Sequence, residues 1–354
     1  MSVRIATFNC NNLFSRWDFQ TELPDATTPA GTAGVLRGEA PAVAELAGTE
    51  AEPAGAPLVV TVEVGGATLT GVLRTFQGRL VRGKDVKARV WIARRIAALD
   101  ADVLAVQEVE DQDALDAFDR DELAPLGSAY PYRVVVEGND PRRIDVGVLS
   151  RLPLGRVSSW RFRPDPADPA RPVFSRDLLQ VELLTPGRPV HLLVNHLKSN
   201  YIPDEFRLSI AQREAARQAI TARRRRQSEA IAAILRQQRL TRRIVVVGDM
   251  NDNPTSECMA PLSETELTEH VTTAATLPGP TRTGKLVADK FADRSPTAWT
   301  HRFKTPAVTE YGLYDQIWTS SDLNPTVAAS WIMRRTQITG DGSDHDPAAI
   351  DLDV

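Results

Sequence analysis

Several short apolar runs in this chain lead straight into acids, amides or histidines, and that repeated ending limits what the chain can fold into and do. Ile5-Ala6-Thr7-Phe8 reaches Asn9, with Asn11 and Asn12 just beyond, and Val103-Leu104-Ala105-Val106 reaches Gln107-Glu108. His191-Leu192-Leu193-Val194 reaches Asn195-His196 and then Lys198-Ser199. Ile244 to Val247 reaches Gly248-Asp249-Met250-Asn251-Asp252. Asp315 begins Gln316-Ile317-Trp318, and Ser343-Asp344-His345-Asp346 precedes the final apolar run. A buried strand sets its last residue at the rim of a rigid scaffold, where reacting groups need to be held. One such ending is a turn or cap residue; several together point to a site.

The remaining patterning supplies the frame. Lys84 to Leu99 carries Val86, Val90, Ala93, Ile96 and Ala97 on one helical face. Further helices are expected around Gln112–Leu123 and over Glu205–Gln238. Strands are expected near Tyr132–Val136, Ile144–Leu149, Leu178–Leu184, Val190–Val194, Gln316–Thr319, Val327–Met333 and Ala348–Leu352. Helices do not separate these strands regularly, which argues against a doubly wound parallel sheet. Two sheets packed face to face, with helices outside, fit better. Gln20 to Pro57 is rich in Ala, Pro, Gly, Thr and Glu without a period, and reads as an irregular insertion. Leu58–Val64 and Ala67–Leu73 around Gly65-Gly66 read as a hairpin. The expectation is one domain over 1–354, with an insertion at about 20–80 that borders the site.

Composition mostly excludes. A net charge of −4 gives no sign of a dedicated nucleic-acid or membrane binder. Arginine outnumbers lysine 36 to 6, so arginine runs count for little and Lys198 for more. Two cysteines, Cys10 and Cys258, make no disulfide framework or zinc pattern, and Cys10 reads as a packed residue. No 18-residue apolar run suggests a membrane span. Without a visible signal peptide, a cytoplasmic protein is expected, with a secreted form whose signal has been removed as the alternative. No protein partner can be inferred.

The residue types suit phosphodiester hydrolysis, whose transition state needs its oxygens neutralised and its nucleophile aimed in line. Mg²⁺ takes carboxylate and amide oxygens, and Glu108 is the best ligand candidate. Asparagines can orient phosphate or water, and histidines can move a proton near neutral pH.

In this order the motifs Thr7-Phe8-Asn9, Gln107-Glu108, Asn195-His196-Leu197-Lys198-Ser199, Gly248-Asp249-Met250-Asn251, Tyr314-Asp315 and Ser343-Asp344-His345 resemble the endonuclease/exonuclease/phosphatase superfamily of deoxyribonuclease I-like enzymes. The resemblance spans nearly the whole chain and is closest to bacterial nuclease branches. It implies an α/β fold, a four-layer α-β-β-α sandwich of two packed mixed sheets flanked by helices. It also implies Mg²⁺ or Mn²⁺ and attack by water on phosphorus. Position by position, Glu108, Asn9 and Asp344 match metal-side residues. Asp249 and Asn251 match the pair that aligns nucleophile and phosphate. Asp315 matches the aspartate that orients a histidine, and His345 that histidine. His196 matches the histidine on the phosphate, and Lys198 and Asn9 fall on the phosphate-binding side. Asp145 is a candidate to orient His196; pairing with Arg142 or Arg143 is the plainer reading. The general base is His345, held by Asp315, or Asp249.

Weaker signals have plainer readings beside them. Arg223-Arg224-Arg225-Arg226 is a phosphate track or a solvated helix face, and the second is favoured. His301 contacts substrate or is structural. Trp17 and Phe19, on an expected surface loop, stack on a base or lipid headgroup or join a local core. Three functions follow: a nuclease acting on DNA, which is favoured; a phosphatase or phospholipase of a small phosphoester such as an inositol phosphate or sphingomyelin; and a non-catalytic binding module. The hairpin tip lacks aromatics, which argues against lipid. A filled set of expected positions argues against decay.

Overall fold

Side chains alternate across a strand, so a sheet apolar on both faces must be covered on both. The computed structural model describes residues 1–14, 17–21, 58–64, 67–73, 78–82, 84–202, 205–238, 242–280, 286–287, 298–304, 309–336 and 341–354. The expected irregular stretch over 22–57 and the Gly65-Gly66 tip lie outside these residues. The chain divides into two units, Arg16–Arg82 and the remainder, Met1–Ser15 with Gly83–Val354.

In the larger unit the strands that form its two main sheets are, in chain order, β1 (Ser2–Leu13), β2 (Val103–Val109), β3 (Tyr132–Val136), β4 (Asp145–Ser150), β5 (Leu154–Ser159), β6 (Leu178–Leu183) and β7 (Val190–His196). They continue with β8 (Ile244–Asp249), β9 (Leu267–Glu269), β10 (Ala275–Leu277), β11 (Asp315–Ser320), β12 (Val327–Met333) and β13 (Ala348–Asp353). One sheet has the order β10-β12-β13-β1-β2-β4-β3, the other β9-β11-β8-β7-β6-β5. Both are mixed: β1 runs parallel to β2 and β7 parallel to β8, while β13 and β11 pair antiparallel with their neighbours.

Three apolar layers make the sandwich. Val3, Ile5, Val103, Ala105, Val146 and Val148 meet Leu179, Val181, Leu192, Val194, Val245, Val247 and Ile317 between the sheets. On the outer face of the first sheet, Ala6, Phe8, Leu104 and Val106 pack with Ile92, Ile96 and Leu99 of helix α1 (Val86–Leu99) and with Leu115 and Phe118 of helix α2 (Gln112–Phe118). On the outer face of the second, Leu193, Ile244, Val246 and Trp318 cover Ile231, Ile234 and Leu235 of helix α3 (Ile210–Gln237). The fold is therefore the α-β-β-α sandwich. Each fully buried Leu, Val or Ile contributes about 1.5–3 kcal/mol by leaving water, which is why apolar runs fix the layers.

Some elements depart from the expectations. Strand β1 does not end at Asn9 but continues to Leu13 after a register shift, with Asn11 and Asn12 at φ 47° and 59°. Short asparagine side chains tolerate that left-handed backbone by bonding locally. Strands β5, β9 and β10 are additional, at the sheet margins, where polar residues interrupt the alternation. The arginine run is only partly a solvated face: Arg225 is exposed, but Arg224 is 3% exposed and donates to Asp252 Oδ2, Lys198 O and Asn200 Oδ1, and Arg226 pairs with Asp165.

In the smaller unit, Leu58–Val64 pairs antiparallel with Ala67–Leu73, the hairpin read from the sequence. Trp17–Thr21 pairs antiparallel with Gly78–Arg82, so Trp17 and Phe19 lie on a strand rather than on a loop. Across the described residues no helix is long and apolar enough to cross a membrane.

Candidate active site

The alternation that fills the inter-sheet core also aims the polar strand ends. Val3 and Ile5 face the second sheet, so Thr7 and Asn9 follow on the same face. Leu192 and Val194 lead to His196, Val245 and Val247 lead to Asp249, and Ile317 is preceded on its face by Asp315. Registers agree: His196 lies opposite Asp249, and Asp249 opposite Asp315. Gly248 permits this approach, because its φ is 143° and a Cβ would fall 2.0 Å from Asn195 O.

Glu108 reaches the site by a different device. Strict alternation would send it to the α1 face, behind Gln107, which Thr7 Oγ1 bonds at 3.1 Å. Both ladders of β2 slip between Gln107 and Val109, and Glu108 sits at φ 61°. This bulge turns the carboxylate to the rim. Its Oε2 accepts the Asn12 amide at 2.9 Å, and its Oε1 lies 3.4 Å from Asn9 Nδ2 and 3.9 Å from His196 Nε2.

Asp249 is the hub. Its Oδ2 accepts from Asn9 Nδ2 at 2.9 Å and lies 3.4 Å from His196 Nε2 and 3.8 Å from His345 Nε2. Its Oδ1 accepts the Asn251 amide at 2.8 Å, and Asn251 Nδ2 donates to Leu197 O at 3.1 Å. His345 sets its Nδ1 2.7 Å from Asp315 Oδ2. The structure thus brings Asn9, Glu108, His196, Asp249, Asn251, Asp315 and His345 together. Asp344 joins them, its Oδ1 accepting from Asn11 Nδ2 at 2.8 Å.

The proton inventory follows from burial and charge. Burial pushes the Asp249 carboxyl well above the ordinary aspartate range, and neighbouring Asp315 adds to the push. Burial opposes a charge on His345, but Asp315, Asp249 and Asp344 overcome it and raise the imidazole to about 10. Burial, with the positive charge of Arg176 and His345, lowers His196 well below its ordinary value. Near neutral pH the site therefore holds one protonated and one neutral histidine around a carboxyl poised between its forms. Lys198, half-buried, falls to about 8 through desolvation and nearby arginines.

Asp145 does not bond His196. It accepts the Gly138 amide at 2.8 Å instead, while its other oxygen and His196 Nδ1 are both buried without a hydrogen-bond partner. Nor does it pair with Arg142, which binds Asp140. Cys10 is buried in the core and its thiol is pushed up to about 12 by burial, which suits a packing residue.

Two more residues surround the site: His301, which the sequence left open between substrate contact and a structural role, and Asp346, to which it gave no role. His301 sits inside the site: its Nε2 is 3.6 Å from Asp344 Oδ2, and its ring stacks on Tyr314 at 5.1 Å and tilts on His345 at 4.8 Å. Its chain neighbour Thr300 accepts the Asp315 amide on Oγ1. Asp346 is fully buried among Arg95, Arg334 and Arg335. Arg95 also donates to His345 O and Arg335 to Asp344 O, so this network holds the loop bearing Asp344 and His345.

Two groups could hold a cation. His301, Asp344 and His345 bring ligand-type atoms within 4.8 Å of one another. A metal at that trio would have to displace the proton that His345 carries beside Asp315. Glu108 and Asp344 offer carboxylate oxygens, as hard Mg²⁺ or Mn²⁺ prefers, while Asn9 turns Nδ2 toward Glu108 and Asp249 and accepts the Asn11 amide on Oδ1, which keeps a second lone pair. Among the described residues the sole ion-pair neighbour of Glu108 is the neutral His196. By donor chemistry the carboxylates of Glu108 and Asp344 fit such a cation.

The sequence model of the Endonuclease/Exonuclease/phosphatase family matches residues 81–345. No curated protein matches the sequence. Among solved structures, the chain is similar to a beta toxin from Staphylococcus aureus, at 15% identity and a TM-score of 0.47, over 75% of this chain and 91% of that one. It is similar to an endonuclease/exonuclease/phosphatase family protein from Leptotrichia buccalis, at 13% identity and 0.48, over 76% and 93%. It is also similar to truncated TDP2 from Caenorhabditis elegans, at 14% identity and 0.47, over 76% and 92%.

Proposed function

This chain belongs to the endonuclease/exonuclease/phosphatase family, and from that premise we propose that it is a divalent-metal-dependent phosphodiesterase whose substrate is DNA. One observation carries the reading: Asp249 is held by Asn9 and Asn251 within 4 Å of both His196 and His345. That is a nucleophile-activating carboxylate between two histidines of opposite protonation state.

The roles follow from the protons. His345 is already protonated by its contact with Asp315, so it is a poor base and a good electrostatic partner for a phosphate oxygen. Asp249, raised by burial, has the affinity to take a proton from water near neutral pH. His196 is neutral and can donate one N–H to the developing charge. Lys198 adds a cation on the same side, fixed by its bonds to Ser199 O and Tyr201 O. Glu108, Asn9 and Asp344 would hold Mg²⁺ or Mn²⁺, which supplies charge neutralisation on the phosphate and the leaving oxygen.

The test is nicking of supercoiled plasmid with Mg²⁺ or Mn²⁺, compared with EDTA and with Glu108→Gln. Metal-dependent nicking lost in the variant supports the proposal. Release of inorganic phosphate or phosphocholine from small esters, without nicking, would move the substrate to a small phosphoester. Inertness toward all of them, with no metal binding, would leave a binding module.

A further inference from the structure

Strand β1 slips its register against β2 between Asn9 and Leu13, and the stretch in between touches both carboxylates that fit a metal. Asn11 Nδ2 donates to Asp344 Oδ1 at 2.8 Å, and the Asn12 amide donates to Glu108 Oε2 at 2.9 Å. The two asparagines do this from successive left-handed positions, at φ 47° and 59°. L-residues visit that region singly and do not propagate it, so such a turn has to be held by its surroundings.

The four backbone groups of Asn11 and Asn12 show what holds it. The Asn11 amide donates to Asn9 Oδ1 at 2.9 Å, and the Asn12 carbonyl accepts from the Phe14 amide at 2.8 Å. The Asn12 amide is taken by Glu108 itself. The Asn11 carbonyl accepts from Lys84 Nζ. Among the described residues, the Lys84 bond is thus the one that comes neither from the neighbouring chain nor from a metal-side carboxylate.

Lys84 has a firm root. It is 7% exposed and directly precedes Asp85, the N-cap of α1, whose carbonyl accepts the Arg89 amide at 3.0 Å. Helix α1 is fixed in turn by Ile92, Ile96 and Leu99 against the first sheet. The same end of α1 packs on the loop that carries Asp344. Gly342 there has φ 86°, and a Cβ on it would fall 2.3 Å from Ala88 O. Burial lowers the Lys84 ammonium and the charges of Glu108 and Asp344 raise it, so the cation lies in the field of both.

We propose that Lys84 is a positioning residue for the divalent metal: by tethering the Asn11 carbonyl it holds the left-handed turn that aims Asp344 and Glu108 at one cation. The inference rests on the metal-dependent reading above and adds a residue to it. The charge of Lys84 works the other way, because an ammonium repels a dication. Among the described residues, however, Lys84 pairs with neither carboxylate and bonds a neutral carbonyl. Its charge acts across a gap, whereas its bond acts by contact on the turn that grips both ligands. The tether therefore dominates, and losing Lys84 weakens metal binding.

The experiment titrates Mn²⁺ by calorimetry into EDTA-treated, dialysed wild type and Lys84→Met, without substrate. The variant should bind Mn²⁺ about 10–100-fold more weakly, the usual effect of removing an outer partner of a metal ligand. On bis(4-nitrophenyl) phosphate its lost rate should return as Mn²⁺ is raised, which a generally damaged fold would not show. Should Lys84→Met fail to fold, Lys84→Gln, whose shorter side chain stays polar, is titrated in its place with the same expectation. Unchanged or tighter binding in the folded variant would overturn the proposal, tighter binding marking Lys84 as a counter-charge only. Weaker binding with a rate that saturating Mn²⁺ does not restore would overturn it too. Wild type that binds no Mn²⁺ would remove the metal-dependent reading and this inference with it, whereas equal binding in both proteins removes the inference alone.

Discussion

His345 holds its Nδ1 2.7 Å from Asp315 Oδ2, while the Asp315 amide is bonded to Thr300 Oγ1 at 2.9 Å. The aspartate is anchored through its backbone, and its carboxylate orients the imidazole and stabilises the charged form.

Asp315→Asn should lower the titration of His345. In the wild type the carboxylates of Asp315, Asp249 and Asp344 outweigh burial and hold the imidazole near pKa 10. With Asp315 neutral, burial gains weight and the pKa drops. The pair stabilises the fold fully below about pH 6.5, the unfolded histidine value, and that contribution is lost as pH rises through about 10. An NMR titration of the His345 ring reads this directly. A midpoint unmoved in Asp315→Asn would show that Asp315 does not set the proton.

Asp249→Asn should reduce kcat on bis(4-nitrophenyl) phosphate by roughly 10²–10⁴, the usual worth of a positioned base. The amide keeps an oxygen for the Asn251 N–H but turns its NH2 toward Asn9 Nδ2, so the thermal melt should fall modestly while the variant stays folded at assay temperature. A kcat within threefold of wild type in the folded variant would transfer the base to another group.

Much of this arrangement could be read in advance because alternation is a strong rule. Once Val245 and Val247 are core residues, Asp249 must share their face, and the same holds for Ile5 and Asn9. What alternation could not place was decided by exceptions to it. Glu108 enters through a bulge at φ 61°, a backbone choice that sequence does not announce. His301 lies far in the chain from Asp344, and only the bridge between His301 and His345 puts them together. Arg176, Asp140 and Asp346 sit in loops, where charge pairing depends on packing between distant segments rather than on any period.

Glu108→Gln should abolish high-affinity Mg²⁺ or Mn²⁺ binding while leaving the fold unchanged. The carboxylate contacts the Asn12 amide at 2.9 Å through one oxygen, and glutamine can retain that acceptor. What it loses is the charge. Calorimetric titration of metal into both proteins is the check, with EDTA-treated wild type as reference. Equal affinity in the two would place the metal elsewhere.

Asp145→Asn should flatten part of the stability–pH curve. Burial raises the Asp145 carboxyl to about 6. A raised pKa means the folded state keeps its proton longer than the unfolded chain. Its contribution is present below about pH 3.9 and is lost as pH rises through 6, by about 3 kcal/mol for two pKa units. Asparagine can still accept the Gly138 amide and has no proton to lose. Urea melts at pH 4, 5, 6 and 7 should therefore diverge, with the variant gaining on wild type toward pH 7. Parallel curves would mean that Asp145 is ionised like any exposed aspartate.

Asp346→Asn tests whether the loop bearing Asp344 and His345 depends on one buried charge. Asp346 is fully buried, and Arg335, Arg95 and Arg334 hold its carboxyl below the ordinary range against the push of burial. Removing the anion leaves three guanidiniums facing one another, and breaking a buried pair in this way costs about 3–5 kcal/mol. Two of those arginines also bond the Asp344 and His345 carbonyls, so the loss should appear in the site as well as in the melt. The expected outcome is a large drop in urea midpoint together with reduced kcat at temperatures where the variant is still folded. Asp351→Asn, whose partner Arg4 is a partly exposed residue opposite it on β1, is the comparison, and should cost about 1 kcal/mol or less. If the two variants melt alike, the buried arginines are compensated by groups other than Asp346, and the loop is held by its backbone bonds alone.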